Sequence, residues 1–170
     1  MGDGIQGYVP LDVQSSYSIG RSICAIPKIV DKARSMRLPA IALADEGVMF
    51  GAVKFHMRCV RNWGSDADTP QIKPILGITL DVFGDGAFHT LRLIAKNADG
   101  YRNLILVSSE RAMPCESVEH PVDFKTIEKW RDGLICLTEE TDPALVERCI
   151  AVFGDDFVFE ATSDDCDFSV

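Results

Sequence analysis

Short apolar runs alternate with amphipathic stretches along this chain, and each pattern predicts an element. Tyr8–Val13 reads as a first strand. Ile26, Ile29, Val30, Ala33 and Met36 then recur at the spacing of one helix face. Pro27 suits that helix's first turn, where its missing N–H would have no partner anyway, and Leu38-Pro39 ends it. Ala40–Ala44 is apolar throughout, as a strand covered on both faces requires. Phe50, Val53, Met57 and Val60 mark the apolar stripe of a second helix, which stops near Asn62-Trp63-Gly64. Beyond a loop at Ser65–Pro70 comes a strand at Ile72–Ile78. Thr79–Phe83 and Phe88–Ala95 flank Gly84-Asp85-Gly86, a hairpin-turn signal. Asn97–Ser109 is predicted helical, packing Tyr101, Leu104, Ile105 and Val107. Ala112–Val122, with Pro114 and Pro121, reads as loop. A short helix at Phe124–Arg131, a strand at Gly133–Thr138, a helix at Pro143–Phe153 and a last strand at Phe157–Glu160 complete the order. This alternation predicts an α/β fold with mostly parallel strands and a β-hairpin insertion.

Composition narrows the class. The chain has 170 residues, 46% of them hydrophobic, enough for one domain with a full core. No apolar run approaches the roughly 20 residues that span a bilayer, and no basic-then-apolar leader opens the chain, so a soluble cytoplasmic protein is expected. Cys24, Cys59, Cys115, Cys136, Cys149 and Cys166 form no C-x-x-C pair and read as reduced core residues. The formal charge of −9 is uneven, with 8 Lys/Arg against 5 Asp/Glu through Asn62 and 9 against 21 after it. An acidic surface is repelled by phosphate backbones, so direct nucleic-acid binding is not expected. Lys28, Lys32, Arg34 and Arg37 read as a solvated helix face. Residues 1–160 are expected to form the domain, and 161–170 an acidic, disordered tail.

In α/β folds chemistry gathers where strands end. Two strand ends here are polar, Asp12-Val13-Gln14-Ser15 and Ala44-Asp45-Glu46-Gly47, and His89-Thr90 opens a later strand. His56 falls on a helix surface and His120 precedes a proline, neither beside a nucleophile in a catalytic arrangement. Asp155, Asp156, Glu160, Asp164, Asp165 and Asp167 lack the spacing of a calcium loop.

Motifs around these strand ends resemble a known family. The order Asp12-Val13-Gln14-Ser15-Ser16-Tyr17-Ser18 is similar to H-x-H-S-x-Y-S, and Pro39–Gly51 to P-A-x-A-x-T-D-H-G-N-M-F-G. Ile72–Thr79 matches I-K-P-I-x-G-x-E, and Thr90–Leu104 matches H-L-x-L-L-A-K-N-x-x-G-Y-x-N-L. Gly133–Leu137 and Phe153–Phe157 add further likeness. The chain resembles the polymerase and histidinol phosphatase (PHP) domain of bacterial DNA polymerase III α subunits over nearly its whole length. That resemblance implies a PHP-type distorted (βα) barrel, or an incomplete portion of one, since the family's domain runs on beyond this chain's end.

The departures matter as much as the matches. Where the family carries metal ligands, this chain has Asp12, Gln14, Asp45, Glu46, Thr79 and Thr90, and of these positions only Asp45 keeps the family's residue. His89 is one residue off the fourth motif's histidine, and strand alternation points it away from the pocket. Asp12, Asp45 and Glu46 are hard oxygen donors suited at best to weakly held Mg²⁺ or Mn²⁺, and Zn²⁺ would miss its imidazoles. No catalytic residues, cofactor or firmly bound metal are therefore expected. The resemblance implies a non-catalytic structural or docking role in DNA replication, with the proofreading exonuclease subunit or other replication proteins as partners. An incomplete sheet with an apolar edge favours pairing with another copy or a partner. The alternatives are a metal-dependent phosphoesterase or 3′–5′ exonuclease with altered ligands, and a stand-alone interaction protein.

Overall fold

The computed structural model describes residues 7–60, 71–84, 86–112 and 122–160, which fall into two compact units, Met1–Thr79 and Leu80–Val170. In the first unit, helix α1 spans Ile26–Ser35, strand β1 Ala40–Glu46 and helix α2 Ala52–Val60. Strand β2, Lys73–Gly84, begins here and runs into the second unit. β1 and β2 pair in parallel from Ala40↔Lys73 to Glu46↔Thr79. Ile26, Ile29, Val30 and Ala33 of α1 pack with Leu43 of β1 and with Phe55 and Cys59 of α2 in one buried cluster. At about 25 cal/mol per Å² of buried apolar surface, such a cluster dominates the unit's stability.

Three expectations change here. Tyr8–Val13 runs alongside β1 but is no regular strand. The carbonyls of Pro10 and Val13 accept from Ala42 N and Ala44 N at 2.9 Å each, so acceptors three apart face donors two apart and the ladder slips. Helix α2 turns its other side inward: Ala52, Phe55 and Cys59 are buried, whereas Phe50 and Val53 are 75% and 66% exposed. The sequence carries two apolar stripes, and the one with the small residues Ala52 and Cys59 is the one that packs. Arg34 also leaves the solvated face, for its guanidinium is buried and donates to Arg58 O at 2.7 Å.

In the second unit, β3 spans Ala87–Ala95, α3 Ala98–Arg111, β4 Val122–Asp123, α4 Phe124–Lys129, β5 Leu134–Thr138, α5 Pro143–Phe153 and β6 Phe157–Phe159. The order runs β2, β3, β5, β6, with β4 beside β2. β3 and β5 are antiparallel; β2–β4 and β5–β6 are parallel. The two strands expected at Ile72–Phe83 are therefore one, since no turn residue interrupts Ile78-Thr79-Leu80. Asn97, Asp123 and Asp142 cap α3, α4 and α5 through their side-chain oxygens. β6 ends the order among the described residues, with Val158 and Phe159 exposed at 44% and 42%.

Cys59, Cys136 and Cys149 are buried as expected, but Cys24 is exposed; Cys115, Cys166, His120 and the 161–170 tail lie outside the described residues. Asp156 and Glu160 are not simply solvated, because Lys96 Nζ lies 2.7 Å from Asp156 and Arg92 pairs with Glu160. Among the described residues no helix is long and apolar enough to cross a membrane.

Candidate functional site

In the first unit the parallel β1–β2 pairing sets Asp45 and Glu46, at the end of β1, beside Ile78 and Thr79, midway along β2. Asp45 is 2% exposed. A carboxylate so far from water costs several kcal/mol unless donors surround it, and the turn after Val13 supplies them. Oδ1 accepts from Ser15 N at 2.6 Å and Ser18 Oγ at 2.7 Å, and Oδ2 accepts from Ser15 Oγ at 2.7 Å. The turn is closed by Ser18 N to Ser15 O at 2.9 Å and Arg21 N to Ser18 O at 3.0 Å. Packing seals what remains. A methyl group added at Gly51 would stand 3.0 Å from Asp45 Oδ2, 3.0 Å from Ile26 Cδ1 and 3.1 Å from Tyr17 Cδ2.

The neighbouring polar groups are engaged as well. Glu46 receives Arg21 Nε at 2.9 Å, and its backbone N–H donates to Ser18 Oγ at 3.0 Å. Thr79 Oγ1 donates to Ala44 O at 3.1 Å. Gln14 is half-buried, its backbone carbonyl accepting from Ser22 Oγ at 2.9 Å, and Asp12 is exposed.

Thr90 belongs to the second unit. There it lines a cavity of about 310 Å³ with Arg92, Thr138, Glu139, Glu140 and Glu160. Glu140 binds both neighbours on β3: the Thr90 N–H donates to it, and His89 Nδ1 lies 2.8 Å away. His89 is buried and does not line the cavity, in keeping with strand alternation, although its partner Glu140 does.

Ser15, Ser18, Arg21 and Glu140 are the residues that sequence reasoning passed over. The two serines stand in the first motif itself, three apart in a turn, which is spacing enough for both hydroxyls to reach one acceptor. Nothing in the sequence singles out Arg21 or Glu140.

Of the three buried thiols, Cys59 and Cys136 are held in the protonated form. Burial pushes the Cys59 thiol up to about 11, against the opposing pull of Arg34. Cys136 is raised by its hydrogen bond with Cys149 and by burial, while that bond lowers Cys149. A thiol held protonated is a poor nucleophile at neutral pH. Among the described residues no three His, Cys, Asp or Glu side chains are grouped to hold a metal ion.

The PHP domain family matches residues 10–162. The DNA polymerase III α subunit of Rickettsia felis is 34% identical over 150 residues, covering 84% of this chain and 11% of its own length. That of Chlamydia trachomatis is 35% identical over 142 residues, covering 77% and 11%. The chain thus spans about one ninth of these relatives. Among solved structures, a protein from Bifidobacterium adolescentis assigned as a metal-dependent phosphoesterase superposes with a TM-score of 0.63 at 10% identity, covering 94% of this chain and 80% of that one. An amidohydrolase from Chromobacterium violaceum superposes with a TM-score of 0.56 at 10% identity, covering 87% and 73%. At that identity the likeness is one of fold, and it fits a PHP-type barrel portion.

Proposed function

The chain belongs to the PHP domain family, and on that premise we propose that it is a non-catalytic member with a structural, docking role in DNA replication. The observation that carries this reading is the state of Asp45. Both oxygens of the one family acid it keeps already accept hydrogen bonds from Ser15 and Ser18.

A polynuclear centre must hold its ions firmly, lower the pKa of a bound water and clamp the leaving oxygen. The groups available here do not fit one. Asp45 would have to give up three hydrogen bonds within a sealed pocket, and Glu46 would have to leave Arg21. Thr79 already spends its hydroxyl proton on Ala44 O and carries no charge. No imidazole contacts the Asp45 cluster among the described residues. What the cluster does is mechanical: it fastens the 12–22 turn to the end of β1. The replication context comes from the DNA polymerase III α relatives, and the docking role from a domain that keeps its frame without a working ligand set.

The test starts from protein purified without added metal and dialysed against micromolar Mn²⁺ or Zn²⁺. Expected are far less than one ion per chain and a phosphomonoester hydrolysis rate equal in wild type and Asp45→Ala. One or more retained ions per chain, with hydrolysis lost in Asp45→Ala, would overturn the reading. Co-elution with polymerase or exonuclease subunits from the same organism tests the docking arm.

A further inference from the structure

We propose that the outer face of α2, with the turn entering it, docks an acidic amphipathic helix of a partner polypeptide; this deepens the docking reading above by naming a surface and its ligand's chemistry. α2 is apolar on two sides. Ala52, Phe55 and Cys59 are buried in the unit's core. On the other side Phe50, Val53 and Met57 line an open groove of about 540 Å³, completed by Pro27, Lys54 and Arg58. Phe50 and Val53 are 75% and 66% exposed. Contiguous exposed apolar surface of this kind marks interaction sites.

Spacing indicates the shape of the occupant. Within α2, Val53, Met57 and Val60 fall at i, i+4 and i+7, the seam along which one helix receives another, and Phe50 extends it from the turn before. Charge indicates its composition. The groove lining holds two cations and no carboxylate. Arg58 is shared with Asp31 at 2.8 Å, whereas Lys54 is exposed and makes no ion pair among the described residues. Lys28, beside Pro27, is exposed too. Residues 7–60 carry seven Lys/Arg against four Asp/Glu, a balance that favours an anionic partner. A second copy is the poorer fit. A two-fold pairing sets a patch against itself, and here Lys54 and Arg58 would be on both sides with no lining acid to receive them.

The probe is a display library of random peptides, about four helical turns long, selected on the purified full chain. Enriched peptides are expected to place apolar residues at i, i+3 or i+4, and i+7, with an excess of Asp and Glu. Their affinity should fall at least tenfold in Val53→Glu, and Lys54→Glu should shift selection toward Lys- and Arg-rich sequences. Val53 is mostly exposed, so its variant should fold, as circular dichroism will show; Phe50→Ser, outside the helix, is the second variant. The proposal is overturned by no enrichment, by neutral or basic winners, or by binding unchanged in both variants. It is equally overturned by a concentration-dependent dimer in wild type that Val53→Glu abolishes. None of these outcomes alters the metal and hydrolysis measurements, so failure here is separate from failure of the non-catalytic reading.

Discussion

Two junctions, one in each unit, fasten a loop or helix to the end of a strand, and they do so by opposite means. At Asp45, serine hydroxyls and one backbone N–H converge on a buried carboxylate. At Gly100, backbone meets backbone. A methyl group there would stand 2.0 Å from Gly133 O, and at Gly133, with φ +72°, a Cβ would stand 2.7 Å from Asn97 Oδ1. Lys96 N donates to Gly133 O at 2.9 Å, Asn97 caps α3, and Asn103 Nδ2 donates to Asp132 O at 2.8 Å. Both junctions lie in stretches similar to PHP motifs. Residues that hold the backbone (Ser15, Ser18, Gly51, Asn97, Gly100) are the ones the motifs call for. Asp12, Gln14, Glu46, Thr79 and Thr90 depart from those motifs.

The largest effect should come from the backbone contact. Gly100→Ala must move a carbonyl rather than a flexible side-chain end, so the loss should reach about 4 kcal/mol, at the severe end for one substitution. Urea unfolding reads it directly. A loss under about 1 kcal/mol would mean that α3 and the 132–133 turn are not held as described.

The carboxylate junction should fail by degrees. Asp45→Ala leaves three buried donors without an acceptor and should cost about 3 kcal/mol, and Ser18→Ala about 1 kcal/mol. The double variant should cost less than the sum, because the second change removes a bond already broken. Added Mn²⁺ should leave the unfolding midpoints of wild type and all three variants where they are. A ligand at 100 times its Kd would stabilise wild type by about 2.7 kcal/mol, so a shift of that size in wild type alone would restore the metal reading.

Gly51→Ala sharpens the same point at smaller scale. Its methyl meets Asp45 Oδ2 and Ile26 Cδ1 at 3.0 Å, and both are side-chain atoms with some room to yield. A cost of about 1–2 kcal/mol is expected. Combined with Asp45→Ala it should shrink by at least about 0.5 kcal/mol, since the carboxylate that crowds the methyl is gone. Additive losses would place Gly51's constraint elsewhere.

Most helices were legible because caps and periodicity agree, as at Asn97 with α3 and at Asp142-Pro143 with α5. The first strand was not, because its apolar edge says nothing of the one-residue slip between Pro10 and Val13. Helix α2 misled for a different reason. Period alone cannot rank two apolar stripes, and the decision fell to the side whose small residues allow close packing. At the site, the departures of Asp12, Gln14, Glu46, Thr79 and Thr90 from the motifs could be read directly. The partners of Asp45 could not, since Ser15 and Ser18 reach it across about thirty residues of chain and their role appears only in three dimensions.

Glu110 gives the comparison its finest test, because it too is a carboxylate joining two elements, but with a charged donor. Oε1 accepts from Lys129 Nζ at 2.9 Å and Trp130 Nε1 at 2.8 Å, and Oε2 from Thr126 Oγ1 at 3.1 Å, tying the end of α3 to α4. These bonds, Lys129's first and Trp130's second, hold its carboxyl below the usual glutamate range. A depressed value in the folded state means the unfolded chain binds the proton more readily. The contribution is therefore complete above the ordinary glutamate value of about 4.3 and is lost as the pH falls through the lowered one. Glu110→Gln should cost about 1 kcal/mol or less at pH 7, given its partly exposed setting. The gap between wild type and variant should close as unfolding is measured from pH 5 downward. A gap constant across that range would show that Glu110 acts through packing, and that only Asp45, among these two carboxylates, is held by its charge.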